Sequence, residues 1–184
     1  MRIDRLELEG FRNYAREAVG FDPRCNVICG ENAQGKTNLL EAVVYLSRGR
    51  SPRARTDREM IGFQEDSARL LARVGSRERE FRVQADLYRG RRRTITVNQV
   101  PIKTNAALGD VYHTVLFQPE DLYLIREGAA ARRRFLDTAL CQLRPRYAAA
   151  LAGYERAREQ KTRILRDCGQ RPDLLAALPE FNEQ

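Results

Sequence analysis

Gly30-Glu31-Asn32-Ala33-Gln34-Gly35-Lys36-Thr37 decides the reading of this chain. The eight residues satisfy G-x-x-x-x-G-K-[ST], the phosphate-binding loop, and each fixed position carries chemistry. The glycines let backbone N–H groups converge on phosphate oxygens, Lys36 reaches the β- and γ-phosphates, and the Thr37 hydroxyl can ligate Mg²⁺. The flanks agree with the pattern. Val27-Ile28-Cys29 is a short apolar run that predicts a buried strand, with Cys29 in the core, and Asn38 to Leu46 continues as a helix ending near Gly49. Phosphates would then sit at a helix N-terminus, where free N–H groups and the helix dipole favour anions.

Outward from the loop, Arg2 to Glu9 predicts a strand closed by Gly10, Phe11-Arg12-Asn13-Tyr14 a loop, and Val19 to Phe21 a second strand. Residues 50–60 read as a polar basic loop. Residues 69–74 and 80–87 predict strands, the second alternating Phe81, Val83, Ala85 and Leu87 against Glu80, Arg82, Gln84 and Asp86. A turn at Arg89 to Arg93 returns the chain as strand Thr94 to Val97, and Asn98 to Pro101 turns again. These segments form an antiparallel meander. Val115-Leu116-Phe117 predicts one more short strand, stopped by Pro119. From Arg132 the pattern is helical, broken at Arg144-Pro145-Arg146 and resumed over 147–167 with a thin apolar stripe suited to an arm or hairpin.

Length and composition set the outer bounds. The 184 residues are 42% hydrophobic, enough for one core and part of another. No apolar run approaches the roughly 20 residues that span a bilayer, and Met1-Arg2-Ile3-Asp4-Arg5 does not open a signal peptide, so a cytoplasmic protein is expected. Cys25, Cys29, Cys141 and Cys168 include no C-x-x-C pair, which argues for reduced thiols and against a zinc site or disulfide framework. The net charge of +8 is unevenly placed, because residues 131–171 carry 11 basic against 4 acidic residues. Such a face can meet nucleic-acid phosphates, although a solvated arginine-rich helix has the same composition. Lys36 is one of only three lysines among 33 basic residues and stands where phosphate chemistry needs it.

Hydrolysis requires more than the loop. P-loop ATPases place an acid at the end of an apolar strand to hold Mg²⁺ and orient water. The nearest candidates, Glu120 and Asp121, follow Gln118-Pro119 and miss that spacing. No Asn-Lys-x-Asp sequence for guanine recognition is present, and a small nucleotide kinase would open on its phosphate loop, whereas here about 26 residues precede it.

Met1-Arg2-Ile3, Leu6-Glu7-Leu8-Glu9-Gly10-Phe11-Arg12-Asn13-Tyr14 and Asn26 through Ala42 closely resemble the start of the RecF family of bacterial recombination mediators. Ser51-Pro52-Arg53 with Asp57-Arg58-Glu59-Met60-Ile61, Phe117-Gln118-Pro119-Glu120-Asp121, and Arg133-Arg134-Phe135-Leu136-Asp137 carry the likeness onward to about residue 143. Pro52 departs from the aromatic residue usual in that family. The resemblance implies an α/β fold, an ABC-type ATPase head lobe with an antiparallel meander over 1–125, followed by an incomplete helical arm over 126–184. It implies ATP and Mg²⁺ as cofactors, nucleotide-dependent homodimerisation, and RecO and RecR as partners at gapped DNA in recombinational repair, replication restart and the SOS response. Family members are longer, with the second acidic strand in their C-terminal part, so an N-terminal portion that binds nucleotide without completing the hydrolytic site is expected.

By position, Gly30 to Asn38 would hold the triphosphate, with Thr37 on Mg²⁺. Arg12 and Asn13 match the place where related heads touch the base or neighbouring phosphates, and Gln118 the loop that supplies a Mg²⁺- or water-contacting glutamine. Arg53, Arg55 and Arg58 form either an exposed loop or a DNA or adenine contact. Arg91, Arg92 and Arg93 form either a solvated hairpin tip or a DNA contact. Arg132, Arg133 and Arg134 begin a helix against its dipole, which favours an anionic neighbour. Two other functional classes fit less of the chain: a nucleotide-independent DNA-binding or docking module, and a small nucleotide kinase.

Overall fold

The computed structural model describes residues 1–75, 79–124, 126, 128–169 and 178–179. They divide into two compact units, Met1–Pro119 and Glu120–Gln184.

In the first unit, β1 (Arg2–Phe11) and β2 (Tyr14–Gly20) form a hairpin, and α1 (Lys36–Arg48) follows the phosphate loop. Then come β3 (Ser67–Gly75), β4 (Glu80–Tyr88), β5 (Thr94–Val97) and β6 (Val100–Pro101). The six strands make one sheet in the order β2-β1-β3-β4-β5-β6, and every pairing is antiparallel. The predicted meander is therefore present, and β1 docks against β3 to join it to the N-terminal hairpin.

Alternation selects one face of the sheet for burial. Leu6 and Leu8 of β1, Leu70, Ala72 and Val74 of β3, Val83, Ala85 and Leu87 of β4, and Ile95 of β5 are all buried in one cluster. The stripe Leu39, Ala42, Tyr45 and Leu46 of α1 belongs to the same cluster, spaced to fall on one side of a helix. At roughly 25 cal/mol per Å² of apolar surface removed from water, each fully buried leucine contributes about 2 kcal/mol, so this face fixes where α1 lies. Gly49 ends the helix in the left-handed conformation (φ 63°), its N–H donating to Tyr45 O at 2.7 Å.

Three sequence expectations are corrected. Val27-Ile28-Cys29 is not a strand: Val27 is 84% exposed, Cys29 is exposed, and only Ile28 packs on the core. Val115-Leu116-Phe117 is likewise irregular, with Val115 98% exposed. A three-residue apolar run forms a strand only where a neighbouring strand takes up its backbone hydrogen bonds, and the described strands all pair within the one six-stranded sheet instead. The second strand is longer than predicted, Tyr14–Gly20, and β1 runs through Gly10 to Phe11, so the predicted loop shrinks to a tight turn at Arg12 (φ 54°) and Asn13.

In the second unit, α2 (Ala129–Leu143) and α3 (Pro145–Asp167) pack as a helical hairpin. Arg144, extended at φ −137°, ends one helix and begins the next. Pro145 takes the first position of α3, where its missing N–H costs nothing. Tyr147 Oη donates to Asp137 across the pair. No residue of either helix is fully buried, as the thin stripe predicted.

Candidate nucleotide site

The phosphate loop is shaped by three residues with positive φ: Gly30 (144°), Ala33 (66°) and Gly35 (102°). Alternation of left- and right-handed backbone turns successive N–H groups to one side, the concavity that binds anions. Gly35 immediately precedes α1, which has no side-chain N-cap and no acidic residue in its first turn. Its first N–H groups therefore lack intrahelical acceptors and its dipole is unopposed, which suits a polyphosphate. Lys36 Nζ lies over the loop and donates to Gly30 O (2.7 Å) and Glu31 O (2.5 Å). An ammonium so placed already points into the cradle. Thr37 is exposed on the first turn, its hydroxyl available to a cation.

The β1–β2 turn braces this loop. Asn13 Nδ2 donates to Gln34 O (3.2 Å), Asn38 Nδ2 donates to Asn13 Oδ1 (2.8 Å), and Tyr14 Oη donates to Gly35 O (3.1 Å). Burial, and then the charge of Glu17, raise the Tyr14 phenol above its ordinary pKa, keeping that donor protonated. The close fit makes Gly35 irreplaceable. A β-carbon there would lie 2.7 Å from both amide atoms of Asn13 and 2.9 Å from Tyr14 Oη.

Arg12, expected to touch the base or neighbouring phosphates, is held here by protein groups. Its Nε and Nη2 donate to Glu41 Oε2 (2.9 Å) and Oε1 (2.8 Å), and its Nη1 to Glu59 O (2.5 Å). Glu41 is 1% exposed on α1, one turn past Thr37, and also accepts from Ser51 Oγ (2.5 Å). Arg53 Nη1 reaches Asn38 Oδ1 at 3.2 Å and stands 3.8 Å from Glu41. One buried carboxylate thus ties together α1, the β1–β2 turn and the segment after Gly49. Sequence reading missed Glu41, Tyr14 and Ser51. The available signal was a single acid, Glu41, within the otherwise apolar run from Leu39 to Leu46.

The remaining candidates are placed apart. Arg93 is half-buried and donates to Tyr45 Oη (2.8 Å), Asp57 (3.1 Å) and Asn105 Oδ1 (2.9 Å), so it closes the fold rather than forming a solvated tip. Arg55, Arg58, Arg91 and Arg92 are exposed around it. Gln118 is half-buried in the irregular segment 113–118, whose Thr114 is tied to the far end of α1 through Ser47 Oγ (2.6 Å) and Arg48 Nη2 (2.8 Å). Glu120 and Asp121 fall in the short 3₁₀ turn Pro119–Tyr123, not at a strand end. Arg132, Arg133 and Arg134 are exposed on α2, in the second unit.

A phosphate loop feeding α1, laid on an antiparallel meander and followed by a helical hairpin, defines a P-loop ATPase head of the α/β class. Over residues 5–143 the sequence matches the AAA domain family, and the chain belongs to that family. More particularly it is RecF-like. It is 39% identical over 184 residues to the DNA replication and repair protein RecF of Agathobacter rectalis, covering 100% of this chain and 51% of that protein. It is 40% identical over 170 residues to RecF of Acidothermus cellulolyticus, covering 92% and 46%. The chain thus spans about half the length of the curated relatives it matches. A solved structure of the recombination mediator protein RecF-ATPrS, in the RecFOR pathway, superposes with TM-score 0.86 at 29% identity over 97% of this chain and 49% of that one. A structure from work on ATP-driven dimerization of SMC ATPases shares the fold, with TM-score 0.62 at 20% identity over 76% of this chain and 99% of that one.

Proposed function

We propose that this chain is the ATP-binding part of a RecF-type DNA-binding ATPase that acts in recombinational repair of gapped DNA. Gly30 to Asn38 hold the triphosphate, Lys36 neutralises its β- and γ-phosphates, and Thr37 ligates Mg²⁺. The observation that carries this reading is Lys36 Nζ lying over the loop carbonyls at the uncapped start of α1. The likeness to solved structures of RecF-ATPrS and RecF-ATP supports it. Mg²⁺ supplies charge neutralisation between phosphate oxygens when bound. Asn13 and Tyr14 keep the loop in its receiving shape, and Arg12 acts through Glu41 as a positioning residue.

By the same likeness, the protein works in the cytoplasm, dimerises around ATP, and meets RecO and RecR at gaps during replication restart and the SOS response. No helix among the described residues is long and apolar enough to cross a membrane. Titration calorimetry with ATP and Mg²⁺ tests the central claim. The chain binds ATP, Lys36→Ala does not, and the 184 residues alone show little steady-state hydrolysis. Equal ATP affinity in the variant would remove the site, and brisk turnover by the wild-type chain would remove the division of labour with the longer protein.

A further inference from the structure

Two adjoining cavities, of about 440 and 510 Å³, open between residues 49–58 and the turn that follows β4. They share Thr56, Asp57 and Arg93, and six arginines line them: Arg50, Arg55, Arg58, Arg91, Arg92 and Arg93. None of the phosphate-loop residues takes part.

Charge in this groove is one-sided. Asp57, which lines both cavities, is already engaged by Arg93 at 3.1 Å and by Tyr45 Oη at 3.0 Å. Nearby Glu59 accepts from the Thr56 N–H and hydroxyl at 3.0 Å each and from the Arg55 N–H at 3.3 Å. Arg55, Arg58 and Arg92 are exposed, and their guanidinium groups make no ion pair among the described residues. Arg91 Cζ lies over the Tyr88 ring, 3.7 Å from its centroid. Holding so many like charges together costs Coulomb energy, which an anionic ligand offsets.

We propose that this groove binds the phosphodiester backbone of a nucleic acid. Arg55, Arg58 and Arg92 take successive phosphates, and the Tyr88–Arg91 stack offers its face to a sugar or base. Guanidinium forks match phosphate oxygens in pairs, and basic residues beside an aromatic ring are the usual makeup of a strand-tracking groove. An acidic protein would need an apolar anchor at the centre of the interface. This lining provides only the small Ala54 and Tyr88, the latter already covered by Arg91. The inference rests on the DNA-binding reading above and assigns that reading to a surface. The segment 50–58 also carries Ser51 and Arg53, which touch Glu41 and Asn38 of the nucleotide site.

The test is fluorescence anisotropy of a labelled gapped duplex with the full 184-residue chain across a salt series, with ATP binding measured in parallel. Arg55→Glu/Arg58→Glu/Arg92→Glu is expected to weaken DNA binding by at least tenfold and to lower the salt slope by roughly 2.7, about 0.9 for each lost phosphate contact. ATP affinity stays at the wild-type value. The milder Arg92→Gln, on an exposed turn, lowers the slope by about 0.9 and guards against misfolding of the triple variant. DNA binding kept by both variants but lost in Arg132→Glu/Arg133→Glu/Arg134→Glu overturns the groove and leaves the DNA-binding reading intact. No salt-dependent binding by the wild-type chain overturns both. Displacement of the DNA by polyglutamate at equal charge concentration overturns the choice of nucleic acid.

Discussion

Arg12 and Glu41, 29 residues apart, form a two-pronged ion pair at 2.9 and 2.8 Å in which the carboxylate is fully buried. The pair joins the turn beside the phosphate loop to the helix that the loop begins. A carboxylate removed from water survives only when its lone pairs are filled, and here Arg12 and Ser51 fill them. Removing one member strands the other. Arg12→Ala is therefore expected to cost about 3–5 kcal/mol of folding stability, read by urea denaturation. Arg12→Ala/Glu41→Gln is expected to recover part of that loss, because the neutral amide no longer needs a cation. A double variant no more stable than Arg12→Ala would show that the pair is not the anchor described.

Gly35→Ala tests the brace around the loop. The backbone there has φ 102°, and the new β-carbon meets the Asn13 amide at 2.7 Å. Strain of about 1–3 kcal/mol is expected, together with loss of ATP binding, since the N–H cradle must shift. Adding Asn13→Gly removes the closest collision but leaves the positive φ, so calorimetry should show partial recovery. Full ATP binding by Gly35→Ala alone would contradict the geometry.

Arg93 connects β4–β5 to α1 and to the residue 57–60 turn through Tyr45, Asp57 and Asn105. Burial above all raises the Tyr45 phenol well beyond its ordinary pKa, so it stays a neutral donor to Asp57 at any working pH. Arg93→Ala leaves Asp57 and Asn105 short of a donor, and a loss of about 1.5–3 kcal/mol is expected. Arg93→Lys restores little, because one ammonium cannot reproduce the fork. Thermal unfolding of the two variants decides the matter; a wild-type melting temperature in Arg93→Ala would return this residue to the solvated surface.

Glu59 gives the groove a pH dependence. Hydrogen bonds from the Thr56 side chain, and then from the Arg55 backbone, hold its carboxyl below the ordinary value of 4.5. A depressed folded-state pKa means that the ordering it provides is complete above the unfolded value and is lost as pH falls through the folded one. Hydrogen exchange of the 55–60 amides should therefore quicken, relative to the rest of the unit, only in that acid window. In Glu59→Gln the step should vanish; an unchanged acid step in that variant would assign it to another group.

Cys29 lies next to the loop and is exposed. Saturating ATP with Mg²⁺ is expected to slow its alkylation by iodoacetamide more than that of Cys168, which lies in the other unit. Peptide mapping separates the two, and equal protection would count against nucleotide binding at Gly30–Thr37.

Local chemistry alone determined the loop, its helix and the meander. Gly30, Gly35, Lys36 and Thr37 are legible because phosphate recognition uses backbone N–H groups and a few fixed side chains within eight consecutive residues. β4 was legible because alternation is a property of consecutive residues. Tertiary structure decided the rest. Val27–Cys29 and Val115–Phe117 have strand-like composition, yet strand formation depends on neighbours that a short run does not carry. Arg12, read as a contact to the base or neighbouring phosphates, and Arg93, read as either a solvated tip or a DNA contact, are tied to acids 29 and 36 positions away, a pairing no window of sequence reveals. Glu41 shows the principle most plainly. On a helix it reads as a solvated acid, and only the packing of α1 on the sheet buries it and obliges Arg12 to come to it.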